Sequence, residues 1–283
     1  MKKAICILSV IIIVFSGCAE SRPNTNISQE PDINISPKAD DVVIALLDSG
    51  VSSLAIDENR ILAGYNYLEN SDNTEDRLNH GTAAASVIVG SVPAQIEGIA
   101  QNAYLVPMIV RTKADSGVQK GITAQALAQV IIDCVDKYDV DIINISLGIK
   151  KDVIEVKKAI DYAEKKGVLV VSAAGNNGED EDYYYPAAYE TVLAVGSHDK
   201  DGKISSFSQK NGTVDILAPG EDIWLASRKG KTYGTRGSSF AAAYVTAVAA
   251  NLLAENPDLS PKEIRDILYQ SATDIGDEGF DKD

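Results

Sequence analysis

The sequence is poor in cysteine, histidine, aromatic residues and positive charge. Of its 283 residues, 3 are Cys, 2 are His and 6% are aromatic. Three cysteines cannot form the disulfide framework of a small secreted domain. Lys plus Arg number 26 against 41 Asp plus Glu, and the resulting net charge of −15 argues against a nucleic-acid partner. With 45% hydrophobic residues, the chain can nevertheless bury a sizeable core.

The first residues are typical of an export signal. Lys2 and Lys3 precede an almost continuously apolar stretch at residues 4–15, which is shorter than the ~20 residues of a membrane-spanning helix. We expect residues 1–17 to be a signal peptide. The segment that ends at Cys18 resembles the lipobox of bacterial lipoproteins, which implies diacylglycerol on this thiol and anchoring at the bacterial cell membrane. An ordinary signal peptide that happens to contain a cysteine is the alternative.

The chain after the signal divides into a tether and one folded domain. Residues 18–40 are rich in Asn, Ser and Pro and show no hydrophobic period, so they predict a flexible tether. Such a segment spans on the order of 25 Å. We expect residues 41–283 to form a single domain close to the membrane.

The folded part alternates strand-like and helix-like stretches. Short apolar runs predict buried strands at residues 42–47, 142–147, 168–173, 192–196 and 214–218. Helical periods occupy residues 127–138 and 153–163, and a capping box with proline begins at Ser260. Cys134 lies on an apolar helix face and is expected to be buried. This alternation predicts an α/β fold, a doubly wound and mostly parallel sheet flanked by helices.

Side chains that can do acid–base chemistry stand at the ends of these elements. Asp48 ends the first strand, and Asn176 follows a buried strand. His80 and Ser239 each open a helical stretch rich in small residues. His198 is predicted to lie in a solvated turn, which leaves His80 as the candidate proton carrier. Taken singly, each of these residues also fits a turn or a helix cap.

The order of these residues along the chain is a more specific signal than any one of them alone. Asp48, His80 and Ser239 follow one another in the order of the subtilisin arrangement. The chain resembles the subtilisin-like serine peptidase family in the segments VVIALLDSGV, NHGTAAA, IINISLG, SAAGNNG, YPAAYETVLAVGS, SFS, ILAPG and GSSFAAAYV, from about residue 42 to residue 273. The resemblance implies a subtilisin-like fold and a serine endopeptidase that works through an acyl-enzyme.

The same resemblance implies a role for each residue of the site. Asp48 would orient the imidazole of His80, and His80 would take the proton of Ser239 as its oxygen attacks the scissile carbonyl. Asn176 would donate its amide to the oxyanion. The residues implied to bind substrate are Ser146, Leu147 and Gly148, along its backbone, and Ala174, Gly175 and Tyr184, around the side chain before the cut.

No metal site and no required cofactor are expected. Residues 91–96 take the place of a calcium loop of the family but offer only Ser, Gln and backbone oxygens, whereas Ca²⁺ usually takes carboxylates, so calcium dependence stays open. The expected partners are a peptide or protein substrate and, through the anchor, the membrane. We expect no nucleic acid and a monomer.

Specificity and biological role leave alternatives open. The four acidic residues at 179–182 either favour a basic side chain before the cut or form a solvated loop. The enzyme is expected to be a processing peptidase for an exported precursor, as the leader peptidases of lanthionine-containing peptides are. The alternatives are a general surface protease and a catalytically inactive binding lipoprotein on the same fold.

Overall fold

The computed structural model describes residues 6–7, 37, 41–113, 119–178 and 182–275. The predicted lipidation site Cys18 and nearly all of the signal peptide and tether lie outside these ranges, so the boundaries at residues 17 and 40 stay predictions. Within the described ranges, none of the helices combines the length and the hydropathy that crossing a bilayer requires.

Strands and helices alternate through most of the described chain. The strands are β1 (Cys6–Ile7), β2 (Val43–Asp48), β3 (Tyr65–Asn66), β4 (Tyr104–Ile109), β5 (Arg111–Lys113), β6 (Gln119–Gly121), β7 (Ile142–Ile145), β8 (Leu169–Ala173), β9 (Leu193–His198), β10 (Ile216–Pro219), β11 (Ile223–Ala226), β12 (Thr232–Thr235) and β13 (Thr273–Asp274). The helices are α1 (His80–Ile88), α2 (Ala124–Asp136), α3 (Ile154–Lys165), α4 (Ser238–Glu255) and α5 (Pro261–Ser271), with one 3-10 turn at Glu58–Arg60. All five predicted strands are present, and α5 begins with the predicted capping box.

One large sheet organises the fold. Its order is β13-β1-β10-β9-β8-β7-β2-β4-β3, and the seven strands from β10 to β3 are parallel. The two-residue strand β1 lies in the predicted signal segment, and it pairs with β10 and, antiparallel, with β13. The predicted α/β class with a mostly parallel sheet is confirmed.

Helices cover the sheet on both faces. Along β2, Ile44 and Leu46 pack into the layer that holds α1 and α4, whereas Ala45 and Leu47 pack against α2 and α3. Each large aliphatic side chain buried in this way stabilises the fold by roughly 1.5–3 kcal/mol. Cys134 is fully buried, as predicted, and burial raises the pKa of its thiol. When helices cover both faces of an open parallel sheet, ligands bind in the crevice outside the carboxyl ends of its strands.

Strand β4 is missing from the sequence-based prediction because a proline interrupts its apolar run. Pro107 lies opposite Leu46 of β2, in the interior of the sheet. The carbonyl of Leu105, two residues earlier, accepts from Leu62 N on the β3 side of the strand. Since strand residues two apart point their backbone groups the same way, the missing N–H of Pro107 faces the short edge strand β3 and not β2. The long pairing between β2 and β4 therefore loses no hydrogen bond.

The prediction for His198 is wrong. His198 is not in a solvated turn: it is the last residue of β9, only 7% exposed, and pairs with Pro219 of β10. Its Nδ1 donates to the Asp199 carbonyl over 2.6 Å. The strand runs two residues beyond the predicted end at Gly196, and the turn starts only at Asp199, whose N–H bonds to the Lys203 carbonyl.

Candidate active site

The predicted site residues gather at the carboxyl edge of the sheet. Asp48 ends β2, Ser146 follows β7 and Asn176 follows β8, while the N-termini of α1 and α4 bring His80 and Ser239 to the same place. A cleft of about 620 Å³ opens there, and His80, Asn176 and Ser239 line it.

Asp48 is completely buried and holds His80. The Nδ1 atom of His80 lies 2.8 and 2.7 Å from the two carboxylate oxygens of Asp48, and Ser49 N donates to one of them over 2.7 Å. Burial on its own raises the pKa of Asp48, but the charge and hydrogen bond of His80, the charge of Arg111 and the Ser49 N–H outweigh it and lower the pKa. The carboxylate is therefore ionised at neutral pH and keeps a proton on Nδ1 of His80.

The imidazole is fixed by its surroundings as well as by Asp48. His80 is the first residue of α1, and its ring centroid lies 5.0 Å from that of Phe240. The preceding residue, Asn79, has a left-handed backbone with φ of 68°. Asn79 is held there by Arg228 N, which donates to its side chain over 3.0 Å, and by the Tyr233 hydroxyl, which donates to its carbonyl over 3.0 Å. With Nδ1 turned to Asp48, the other ring nitrogen, Nε2, is available on the cleft side.

The two adjacent serines at the start of α4 have different environments. Ser238 is completely buried, and its hydroxyl accepts from Gly175 N over 3.3 Å. Ser239 is 6% exposed and lines the cleft. Among the described residues, its hydroxyl has no hydrogen-bond partner, so the contact with His80 Nε2 is open in the free protein, as catalytic hydrogen bonds often are without substrate. Ser239 is thus the serine with a free hydroxyl.

Asn176 is oriented from one end of its amide. Its Oδ1 accepts from Ser238 N over 2.8 Å, which leaves the Nδ2 hydrogens as free donors beside the start of α4. The backbone N–H of Ser239 has no acceptor among the described residues and lies in the first turn of the helix, where the macrodipole is positive. Two donors near one helix N-terminus favour negative charge at this point of the cleft.

With one exception, the residues predicted to bind substrate line the same cleft as His80 and Ser239. Ser146, Leu147, Gly148, Gly175 and Tyr184 line it. The Tyr184 ring lies between two glycines, because a Cβ on Gly148 or Gly175 would meet Tyr184 atoms at 3.1 or 3.0 Å. Ala174 does not line the cleft: its side chain is buried in a small cluster with Val214 and Leu217, and the neighbouring Ala173 lines the cleft instead.

Two further predictions concern loops near the site. Of the acidic run at 179–182, only Asp182 is described, and it forms an ion pair with Lys150, so a preference for basic side chains stays a prediction. Residues 91–96 close on themselves through backbone hydrogen bonds between Ser91 and Ile96, and the Ser91 hydroxyl donates to the Ala55 carbonyl over 2.7 Å. The part of the chain that the structure describes holds no group of three or more His, Cys, Asp or Glu that could hold a metal ion.

Sequence reasoning missed a buried carboxylate behind His80. Asp76 is completely buried and accepts from the Ser49 hydroxyl over 2.8 Å and from the Thr82 hydroxyl over 2.7 Å. The Ser49 hydroxyl in turn accepts from Gly81 N over 3.0 Å. Asp76 therefore ties the turn after Asp48 to the first turn of the helix that carries His80. No signal in the polar stretch NSDNTEDRLNH separates Asp76 from the other acids around it.

Comparison with known proteins points to one family. The model of the subtilase family matches residues 39–283. The major intracellular serine protease of Bacillus subtilis (strain 168) is 37% identical over 227 residues, which are 75% of this chain and 68% of that protein. Subtilisin DY of Bacillus licheniformis is 28% identical over 244 residues, 85% of this chain and 86% of that protein. The match spans only 57% of a thermophilic serine proteinase from Bacillus sp. (strain AK1).

Solved structures agree with this result. A mutant of the protease domain of PatA has a TM-score of 0.72 and 31% identity, with 83% of this chain and 88% of that chain covered. The prenylagaramide maturation protease PagA has a TM-score of 0.68 and 28% identity, with 83% and 84% covered.

Proposed function

The chain belongs to the subtilase family of subtilisin-like serine proteases, and we propose that it is a membrane-anchored serine endopeptidase with Asp48, His80 and Ser239 as its catalytic residues. The observation that carries the proposal is the contact of His80 Nδ1 with both oxygens of the buried Asp48, at 2.8 and 2.7 Å, in a cleft that Ser239 shares. This contact determines which imidazole nitrogen can act as a base.

The first chemical step is acylation of Ser239. His80 Nε2 takes the hydroxyl proton of Ser239 while Oγ attacks the scissile carbonyl carbon, and the carbonyl oxygen becomes an oxyanion. Asp48 stays ionised and stabilises the imidazolium. His80 then gives its proton to the leaving amine, and the peptide C–N bond breaks. In the second step, water activated by His80 hydrolyses the ester and regenerates the Ser239 hydroxyl.

The oxyanion needs donors that are already in place when it forms. Asn176 Nδ2 and the Ser239 N–H would supply them, because both are free at the N-terminus of α4. The Asn176 amide needs no reorganisation, since its Oδ1 is held by Ser238 N over 2.8 Å. Donors fixed in advance stabilise the transition state more than donors that must turn.

For the biological role, we propose that the enzyme processes an exported precursor beside the membrane. Two structural neighbours support this role: PagA is a prenylagaramide maturation protease, and the protease domain of PatA is self-cleaved. The lipid anchor at Cys18 would hold the domain near such a precursor. Release of a Cys18→Ser variant from the membrane fraction tests the anchor. Cleavage of precursor peptides at one bond, with casein left intact, tests the role against general degradation.

A fluorophosphonate probe tests the catalytic assignment. The probe reacts with an activated serine hydroxyl, so the full-length chain should be labelled, and Ser239→Ala should abolish labelling. Ser238→Ala is the matched control: it removes a neighbouring hydroxyl that is bonded to Gly175 N, and labelling should persist. Persistent labelling of Ser239→Ala, or a wild-type chain that never reacts, would refute the assignment and favour a catalytically inactive binding protein.

A further inference from the structure

The described residues that line the cleft beside Ser239 carry positive charge on an acidic protein. Among the described residues that line it, Arg111 and Lys120 are the charged side chains, and no Asp or Glu is present. The whole chain has 41 acidic against 26 basic residues. The excess of basic over acidic side chains in this cleft wall therefore does not follow from the composition of the chain.

Arg111 lies close to the catalytic pair. It is the first residue of β5, opposite Gly121 of β6, and it is half-buried. Its Nη1 donates to the Ser146 carbonyl over 3.4 Å. Its charge is also one of the influences that outweigh the burial of Asp48 and lower the pKa of that carboxyl. The guanidinium thus contacts the backbone-pairing segment at residues 146–148 and acts on the carboxylate that holds His80.

The charge of Arg111 acts on the buried carboxylate of Asp48 but is not engaged in a direct ion pair with any described residue. No described carboxylate forms an ion pair with it, whereas Arg77 is paired with Glu69, and Arg265 with Glu164. The bond of 3.4 Å to a neutral carbonyl is at the long limit for a hydrogen bond and costs little to exchange. A half-buried guanidinium with four other N–H donors is ready for a carboxylate.

The direction of an extended substrate decides which of its side chains meets Arg111. A substrate strand along Ser146–Gly148 would place the side chain before the cut at Gly175 and Tyr184, which the family resemblance implies for this position and which line the cleft. Successive side chains of a strand point to opposite sides. The side chain of the second residue before the scissile bond therefore points away from Tyr184, toward His80 and Arg111.

We propose that Arg111 selects substrates that carry Asp or Glu as the second residue before the scissile bond. This inference rests on the proposed endopeptidase function. A planar guanidinium binds a carboxylate through two parallel hydrogen bonds, which an amide of the same shape cannot match. We expect kcat/KM to be about tenfold higher for Asp than for Asn at this position.

The experiment uses peptide libraries that differ only at the second position before the cut. The members are Asp against Asn and Glu against Gln, with equimolar mixtures at the other positions, and the acid-to-amide ratio of kcat/KM is measured for the full-length chain. The ratio cancels any common effect of a variant on catalysis. Arg111→Gln should bring the ratio from about ten to near one. Lys113→Gln is the matched control, because Lys113 is an exposed cation on the same strand that does not line the cleft, and the ratio should be retained.

A second measurement does not depend on any variant. Because the attraction is electrostatic, the wild-type ratio should fall as salt is raised from about 0.05 to 1 M. A wild-type ratio near one, or a ratio that Arg111→Gln and Lys113→Gln lower equally, would overturn this inference while leaving the endopeptidase function in place. Probe labelling without cleavage of any library would also overturn it. A chain that neither cleaves a library nor reacts with the fluorophosphonate would instead overturn the proposed function, and the inference with it.

Discussion

The substitution Asp76→Asn should loosen the contact between Asp48 and His80 without changing either side chain. Asp76 has no exposed surface and bridges the two segments that carry them. One of its oxygens accepts from the Ser49 hydroxyl over 2.8 Å, and the other accepts from Thr82 N over 3.0 Å and from the Thr82 hydroxyl over 2.7 Å. The replacement keeps the shape of the side chain and removes one acceptor oxygen and the charge.

The structure indicates how large the effect should be. The Asn oxygen can keep the bond to the Ser49 hydroxyl, but the new NH₂ group then faces Thr82 N, and two donors meet where one bond existed. The Thr82 hydroxyl can rotate and accept, so the net loss is one charge-assisted bond and one buried N–H without an acceptor. These are two descriptions of one broken contact, whose loss costs about 1–3 kcal/mol, so we expect the free energy of unfolding to fall by about 1–3 kcal/mol.

The catalytic consequence should appear in kcat. Asp76 does not line the cleft, so substrate binding and KM should change little. A shift of α1 changes the position of His80 relative to Ser239, and a misplacement of less than about 1 Å can lower kcat by a factor of ten or more.

Two assays and one control test this reasoning. Unfolding by urea is measured in a Ser239→Ala background, which prevents self-digestion, and kcat and KM are measured in the active protein. Glu75→Gln is the control, since it removes the same charge from the exposed neighbouring residue. If Asp76→Asn and Glu75→Gln unfold within about 0.5 kcal/mol of each other, the buried network does not stabilise the site as argued. A rise in KM with kcat unchanged would contradict the positioning role.

Two further predictions concern the oxyanion and the buried carboxylate. Asn176→Ala should lower kcat by about 10²–10³ with KM little changed, a magnitude taken from a subtilisin of this same family, and an unchanged kcat would exclude the amide as an oxyanion donor. Asp48→Asn should destabilise the Ser239→Ala protein at neutral pH, because the folded state lowers the pKa of Asp48. A lowered pKa of Asp48 stabilises the fold at every pH above its unfolded pKa of about 4, and this stabilisation is lost as the pH falls through its folded pKa. The free energies of unfolding of the two proteins in urea should therefore converge only below about pH 4. Convergence already at pH 6 would contradict the assignment.

Much of the fold could be predicted because its strands are buried on both faces. Continuous apolar runs marked β2, β7, β8, β9 and β10, and helical periods marked α2 and α3. The prediction failed where tertiary contacts override a local signal. Pro107 argues against a strand in any sequence, and only the position of its missing N–H toward the short strand β3 makes β4 possible. The hairpin of β5 and β6 has no apolar alternation at all, since it carries Arg111 and Lys120 on the rim of the cleft.

The residues of the site also fall into two groups. Some could be predicted from the sequence motif that contains them, and others are recognised only by their neighbours in the folded protein. Asp48, His80 and Ser239 stand at element ends inside segments with a family pattern, so the sequence alone singled them out. Asp76 and Arg111 have no such pattern. What distinguishes Asp76 is its complete burial among hydrogen-bond donors. What distinguishes Arg111 is a half-buried position without a direct ion pair to any described carboxylate. In the unfolded chain every ionised side chain is solvated by water. Folding buries some of these charges, and a buried charge is stable only when it is paired or hydrogen-bonded. The experiments on these two residues therefore test the part of the mechanism that the motifs could not have predicted.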